Sequence, residues 1–260
     1  MPAAAVADAV RRSRNPTWVN MSGYSVISFV LPAHNETQLL AATLAALHGS
    51  ARTLHLPYEI VVVDDASSDA TAQVALDGGA RVLCVEHRHI AATRNAGARA
   101  ALGEWLVFVD ADTLVNPQVL QAAVRELRDG AAGGGAAVHL QGPIRWHESL
   151  GVWLFVWIFR LTRIAPGCFI FCSRAAFEAA GGFDEEYYAA EDITLSRALA
   201  RQGRFVILRE PVRTSARKLR THGLGEHLRL LWRMARHRRR MLTSRQHLDL
   251  WYGARRSEDD

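Results

Sequence analysis

Residues 59–71 read Glu59-Ile60-Val61-Val62-Val63-Asp64-Asp65-Ala66-Ser67-Ser68-Asp69-Ala70-Thr71. Four β-branched residues follow one another with no polar alternation, which predicts a strand covered on both faces, as in a parallel sheet. The run ends in two carboxylates and enters a turn, with Ser67 or Ser68 placed to cap a following helix. The same rhythm extends outward in both directions. Val26–Leu31 is a short β-rich run closed by Pro32, and Leu39, Leu40, Thr43, Leu44 and Leu47 then recur at helical spacing over 36–47. Arg81–Val85 is a third strand, 91–102 an Ala-rich helix ended by Gly103, and Trp105–Asp110 a fourth strand, after which Pro117 opens another helix. Alternating strands and helices of this kind predict a parallel sheet with crossover helices. Such sheets bind ligands beyond the carboxyl ends of their strands. The polar clusters fall there: Pro32-Ala33-His34-Asn35-Glu36, Asp64-Asp65 and Asp110-Ala111-Asp112.

Composition bounds the rest. A chain of 260 residues, 49% hydrophobic and 22% charged with seven Trp, is globular in composition and not mainly disordered. Three Cys exclude a disulfide scaffold. No apolar run approaches the roughly 20 residues that span a bilayer. The first 16 residues lack the apolar core of a secretory leader, so a cytoplasmic location is expected. Of 31 basic residues only Lys218 is lysine, a bias that a GC-rich genome explains. Their placement says more. Fourteen Arg and Lys218 lie between 197 and 245, against two acids, Glu210 and Glu226.

After Gly133-Gly134-Gly135 the rhythm changes. A strand at Ala136–Gln141, an apolar Trp- and Phe-rich stretch at Leu150–Phe159, a strand at Phe169–Cys172, a helix, the loop Gly181-Gly182-Phe183-Asp184 and a helix from about Asp192 to Gln202 are expected. No linker separates a second domain and no repeat is visible. The expected organisation is a loose arm at 1–24, one α/β domain at 25–222, and a basic amphipathic helix and tail at 223–260.

Asp110 and Asp112 stand two apart directly after an apolar strand. Two such carboxylates repel unless a cation lies nearby. Hard cations such as Mg²⁺ favour carboxylates together with substrate phosphate oxygens. The motif gains weight from its order with three others: VISFVLPAHNE (26–36), EIVVVDDASSDAT (59–71), ATRNAGARAALGEWLVFVDADT (92–113) and GGFDEEYYAAEDITLSRAL (181–199). As an ordered set over about residues 25–210 these strings resemble the inverting family 2 glycosyltransferases. That resemblance implies a GT-A, Rossmann-like single domain with a mostly parallel central sheet flanked by helices. It also implies transfer of a sugar from a nucleotide-diphosphate sugar to an acceptor hydroxyl, dependent on Mg²⁺ or Mn²⁺.

The resemblance further implies roles for single residues. Pro32, Ala33, Asn35 and Glu36 line the nucleotide; Asp65 meets the base and Asp64 is structural; Arg94 helps to hold the nucleotide. Asp110 lies near the ribose, and Asp112, with Asp110, ligates the metal on the diphosphate. In the pair Glu191-Asp192, the second acid is the general base and Glu191 shapes the acceptor pocket. The alternative for Asp192 is that it is only the N-cap of its helix. Past the sheet, Arg217 and Lys218 are candidate diphosphate clamps and His222 a candidate third metal ligand; the alternative is a solvated basic loop.

Other features read as structure. Cys168 and Cys172 lack a second pair at zinc spacing and are expected to be buried thiols. The triple glycine does not follow a strand into a helix as a dinucleotide fingerprint does. His87-Arg88-His89 reads as a surface turn. Two segments bear on membranes. Leu150–Phe159 is either a buried helix beside the acceptor pocket or an interfacial helix with arginines behind it. Leu224, Leu228, Leu231 and Ala235 form one stripe of a helix at 224–240, opposite Arg229, Arg233, Arg236 and Arg240. The favoured reading is peripheral contact with an anionic cytoplasmic leaflet and a lipid-linked acceptor. A sugar-phosphate nucleotidyltransferase would need a Gly-rich basic loop after the first strand, which PAHNE is not. A non-catalytic binding protein remains an alternative, but no nucleic-acid motif accompanies the arginines.

Overall fold

The computed structural model describes residues 27–141, 164–187 and 190–215. The elements are β1 (Ile27–Ala33), α1 (Thr37–Arg52), β2 (Tyr58–Asp65), α2 (Thr71–Asp77), β3 (Arg81–Val85), α3 (Ile90–Ala100), β4 (Trp105–Val109), β5 (Thr113–Leu114) and α4 (Pro117–Arg128). They continue with β6 (Gly133–Gln141), β7 (Phe169–Ser173), α5 (Arg174–Ala179), α6 (Glu191–Gln202) and β8 (Phe205–Ser215). All eight strands form one sheet in the order β3-β2-β1-β4-β7-β6-β8-β5. The first half is parallel as expected: β1 pairs with β2 and β4, and β2 with β3. The second half is mixed. Strand β7 runs antiparallel to β4 and β6, β8 runs parallel to β6, and β5 runs antiparallel to β8.

Near-continuous apolar strands are needed because both faces are covered. Phe29, Leu31, Val62 and Val107 face a layer containing Leu40, Leu44 and Leu47 of α1 and Val119, Leu120 and Ala123 of α4. Val30, Val61, Val63 and Phe108 face the other way, toward Ala91 and Ala98 of α3, Phe177 of α5, and Leu195 and Leu199 of α6. Each such fully buried large side chain contributes roughly 1.5–3 kcal/mol. Among the described residues no helix is long and apolar enough to cross a membrane.

Four expectations need correction. Neither Ser67 nor Ser68 caps α2, whose N-cap is Ala70. Ser67 Oγ instead accepts from the Asn35 amide (2.9 Å), and the Ser68 amide donates to Asn35 Oδ1 (2.8 Å), so this loop is committed to the one after β1. Asp192 is not an N-cap either: that position is Ala190, at φ 69° with no capping side chain. The triple glycine lies inside β6, not before it. A Cβ on Gly134 would stand 2.1 Å from the Val206 carbonyl oxygen, and one on Gly135 2.3 Å from Ala165 Cβ. These glycines permit close approach of backbones. Lastly, β8 is a strand where a basic loop was expected to begin; its pairing shifts register opposite Ala136/Ala137, which accommodates Pro211. The arm at 1–24, the apolar stretch Leu150–Phe159 and the basic segment from 216 onward lie outside the described residues.

Candidate active site at the carboxyl ends of the parallel strands

The loops after β1 and β2 are bound to one another. Asn35, at φ 52°, takes the Ser67 and Ser68 contacts, and the Glu36 amide donates to Thr71 Oγ1 (2.8 Å). His34 Nδ1 lies 2.8 Å from the Asp65 carbonyl oxygen and its Nε2 3.1 Å from Arg88 Nη1. Pro32 and Ala33 are the last residues of β1, and Glu36 is buried at the start of α1. Asp64 Oδ1 accepts from the Ser67 amide (3.3 Å). The Asp65 carboxylate accepts from the amides of Arg88 (2.7 Å) and His89 (3.1 Å) and from Thr93 Oγ1 (2.8 Å). It therefore fixes the turn that enters α3. The residues of this turn divide in a way the sequence does not show. His87 and Arg88 are exposed, but His89 is buried and caps α3, accepting from the Ala92 amide. Burial pushes its imidazole pKa down, against the pull of Glu185, Glu191 and Asp65.

Helix α3 then distributes three successive residues to three loops, because side chains one residue apart on a helix point about 100° apart. Thr93 reaches Asp65. Asn95 clasps Phe183, donating to its carbonyl (2.8 Å) and accepting from its amide (2.9 Å), and also donates to Glu185 (2.8 Å). Arg94, between them, is 1% exposed. Its Nη1 donates to Glu191 Oε1 (2.8 Å), and its Nη2 to Asp110 Oδ1 (2.7 Å) and to the Gly167 carbonyl (3.0 Å). The Phe183 ring lies 5.2 Å from the guanidinium carbon. Burial opposes the charge, but Asp110 and Glu191 more than offset it and raise the pKa above that of an ordinary arginine.

The acids meet around this side chain. Asp110 leaves β4 with its amide donating to the Cys168 carbonyl (3.2 Å), and its carboxyl is 24% exposed. Asp112 Oδ1 accepts from Thr214 Oγ1 of β8 (3.3 Å), across the β5–β8 pairing. In α6, Glu191 is buried on Arg94. The Asp192 carboxylate is partly buried and accepts from the amides of Gly167 (2.9 Å) and Ile193 (2.8 Å). Burial raises the Asp192 pKa first and the Glu191 carboxylate second; Arg94 and the two amides oppose them, and the balance lies at about 7. Cys168, half-buried beside these acids, and the buried Cys172 are free thiols whose pKa burial raises.

The structure thus brings Asp110, Glu191 and Asp192 to one guanidinium, with Asp112 two residues away. Gly167 and Thr214, unremarked in the sequence, complete the arrangement; only the folded chain puts them beside acids. Arg217, Lys218 and His222 lie outside the described residues. Among the described residues no group of three or more His, Cys, Asp or Glu could hold a metal ion. The hard oxygens of Asp112 and Asp110 still suit Mg²⁺ or Mn²⁺ if further ligands come from a phosphate-bearing substrate.

An undecaprenyl-phosphate 4-deoxy-4-formamido-L-arabinose transferase of Pseudomonas fluorescens is 32% identical over 112 residues, 40% of this chain and 33% of that protein. The chain spans about a third to a half of the length of relatives it matches. Among solved structures, the mannosyltransferase PcManGT of Pyrobaculum calidifontis, in complex with GDP-Man and Mn²⁺, superposes with a TM-score of 0.62 at 20% identity, covering 92% of this chain and 69% of that one. S. aureus TarS (residues 1–349), solved with UDP, gives 0.57 at 20% identity, covering 73% and 60%. At those identities the likeness is one of fold. The model of glycosyl transferase family 2 matches residues 28–179. That match spans more than half of the chain and takes in β1, the Asp64-Asp65 turn, Arg94 and the Asp110–Asp112 turn, so this protein belongs to glycosyl transferase family 2.

Proposed function

We propose that this protein transfers a sugar from a nucleotide-diphosphate sugar to an acceptor hydroxyl with inversion, using Asp192 as general base and a divalent cation at Asp112 and Asp110. The observation that carries this reading is the convergence of Asp110, Glu191 and Asp192 on buried Arg94, with Asp112 in the same turn. Arg94 is already shared between Asp110 and Glu191, and a diphosphate brings further negative charge beside these acids. Asp112 with Asp110 would hold Mg²⁺ or Mn²⁺, which would offset that charge and stabilise the departing nucleoside diphosphate.

The protein's own groups do the rest. Pro32, Ala33, Asn35, Glu36 and Asp65 border the crevice at the ends of β1 and β2 and form the donor side, with Asp110 toward the ribose. Asp192, with a pKa near 7, is ionised often enough to take the acceptor hydroxyl's proton and basic enough to hold it. Attack from the face opposite the leaving group inverts the anomeric carbon. Glu191 borders the acceptor side. Strand β8 supports a role for the basic segment: Thr214 touches Asp112, and the chain to Arg217 and Lys218 is only a few residues long, each spanning at most about 3.3–3.6 Å. Those two residues then clamp the diphosphate, and His222 is a candidate third metal ligand.

The acceptor is proposed to be lipid-linked and met at an anionic membrane surface on the cytoplasmic face, through Leu150–Phe159 and the arginine face at 229–240. The relative named as an undecaprenyl-phosphate transferase supports the lipid part of this reading; the hydroxyl is tested separately through Asp192. The deciding experiment is a screen of UDP- and GDP-sugars with Mg²⁺ or Mn²⁺, reading release of nucleoside diphosphate. Release that requires both metal and Asp192 supports the reading. Metal-independent release, or none with any sugar nucleotide, overturns it.

A further inference from the structure

The family resemblance puts Arg94 on the nucleotide. Its surroundings point elsewhere. The side chain is 1% exposed, the Phe183 ring covers it at 5.2 Å, and Nη1 and Nη2 are engaged by protein oxygens. Those oxygens belong to two different halves of the site. Asp110 follows β4, which the transferase reading puts on the donor side, while Glu191 opens α6, which it puts on the acceptor side. Gly167 forms a second bridge between the halves. Its amide donates to Asp192 Oδ2, its carbonyl accepts from Arg94, and the next carbonyl, of Cys168, accepts from the Asp110 amide. A Cβ on Gly167 would lie 3.3 Å from Asp192 Oδ2 and 3.4 Å from Arg94 Nη2, so glycine leaves the room that these contacts occupy.

We propose that Arg94, with the Gly167 turn, is a positioning device that locks the donor-side Asp110 and the acceptor-side Glu191–Asp192 into one frame, and is not a nucleotide contact. The proposal rests on the transferase reading above for its consequence, but not for its geometry. Planar guanidinium can bridge several acceptors at once where an ammonium is a single point of charge. A misplacement of about 1 Å between reacting groups costs roughly 100-fold in rate. Arg94→Lys keeps the charge and loses the bridge.

Two variants and one thermal cycle test this. For Arg94→Lys, kcat is expected to fall about 100-fold. Affinity for UDP or GDP with Mn²⁺, whichever the wild type binds by calorimetry, is expected to fall far less than kcat. Gly167→Ala should lower kcat and leave nucleotide affinity and Tm near wild type. Loss of nucleotide affinity that accounts for the whole loss of kcat/KM, with kcat kept, overturns the proposal. So does wild-type kcat in both variants. The thermal cycle needs no activity. Arg94→Met strands Glu191 without its partner and should lower Tm; adding Glu191→Gln should recover part of that loss. Strictly additive losses refute the bridge. A wild type inactive on every sugar nucleotide sinks the transferase reading, while the cycle still reports on the bridge.

Discussion

Replacing Asp192 with Asn keeps the shape of the side chain and removes its ability to take a proton. General-base catalysis contributes typically 10²–10⁴-fold, so kcat should fall by that factor, or about 2.7–5.4 kcal/mol in activation free energy. The wild-type pH profile gives a second, independent magnitude. With a pKa of about 7, roughly a tenth of the protein carries the ionised base at pH 6, half at pH 7 and nine tenths at pH 8. kcat/KM should therefore rise about tenfold per pH unit below pH 6 and level off above pH 8. Stability runs the opposite way. A carboxyl whose pKa is higher folded than unfolded favours the folded state in its protonated form. That contribution is complete below about pH 4 and is lost as pH rises to about 7. The Tm of Asp192→Asn relative to wild type should accordingly be more favourable at pH 8 than at pH 5. The assay is nucleoside diphosphate release against pH, paired with thermal melts of both proteins. Wild-type kcat in the Asn variant, or a flat profile between pH 5.5 and 8, would refute the base assignment. A phosphate acceptor would keep kcat in the Asn variant, because a phosphomonoester is ionised near neutrality and needs no base, while its own second pKa of about 6 would still bend the profile near that pH.

Three further outcomes follow from the same structure. Chelation with EDTA should abolish transfer and added Mn²⁺ restore it, and Thr214→Val, which removes the hydroxyl at Asp112 Oδ1, should weaken Mn²⁺ affinity by about 10–100-fold; calorimetry decides both. Gly134→Ala drives a Cβ into the Val206 carbonyl and should cost at least about 1–3 kcal/mol of stability, whereas Gly49→Ala, in open space on α1, should be neutral or stabilising by chemical denaturation. Flotation with anionic vesicles at low salt should carry the full chain upward, and high salt should release it; failure to float at low salt removes the membrane proposal.

How far the sequence could be read depended on how local each cause was. β1, β2 and β4 appear as apolar runs because burial on both faces leaves no polar alternation, the edge strand β3 is apolar but only partly buried, and a helix period or an Ala-rich stretch marks the helices between them. Pro117 makes the start of α4 legible in the same way, and the structure adds Asn116 as its N-cap. Ser67 and Ser68 misled because a capping residue is recognised by its type, while here their hydrogen-bonding groups are used by Asn35, more than thirty residues away. Strand β8 was missed because Arg209, Glu210 and Pro211 interrupt its apolar pattern, and its partner β6 lies about seventy residues earlier. His89 reads as a surface histidine beside exposed His87 and Arg88, yet Asp65 draws its amide inward.

The acids themselves were visible along the chain, since the motif strings and their order name Asp65, Asp110, Asp112, Glu191 and Asp192 with no knowledge of the fold. Their electrostatics were not. Arg94 is 16 residues from Asp110 and 97 from Glu191, and Gly167 is 25 from Asp192, so no spacing rule connects them. Residue type and period are local properties, carried by covalent geometry and burial along one element. The charge environment of a carboxylate is set by whatever else folding brings within a few ångströms, where desolvation makes each neighbour count most. That is why only the fold shows Arg94 buried against both Asp110 and Glu191.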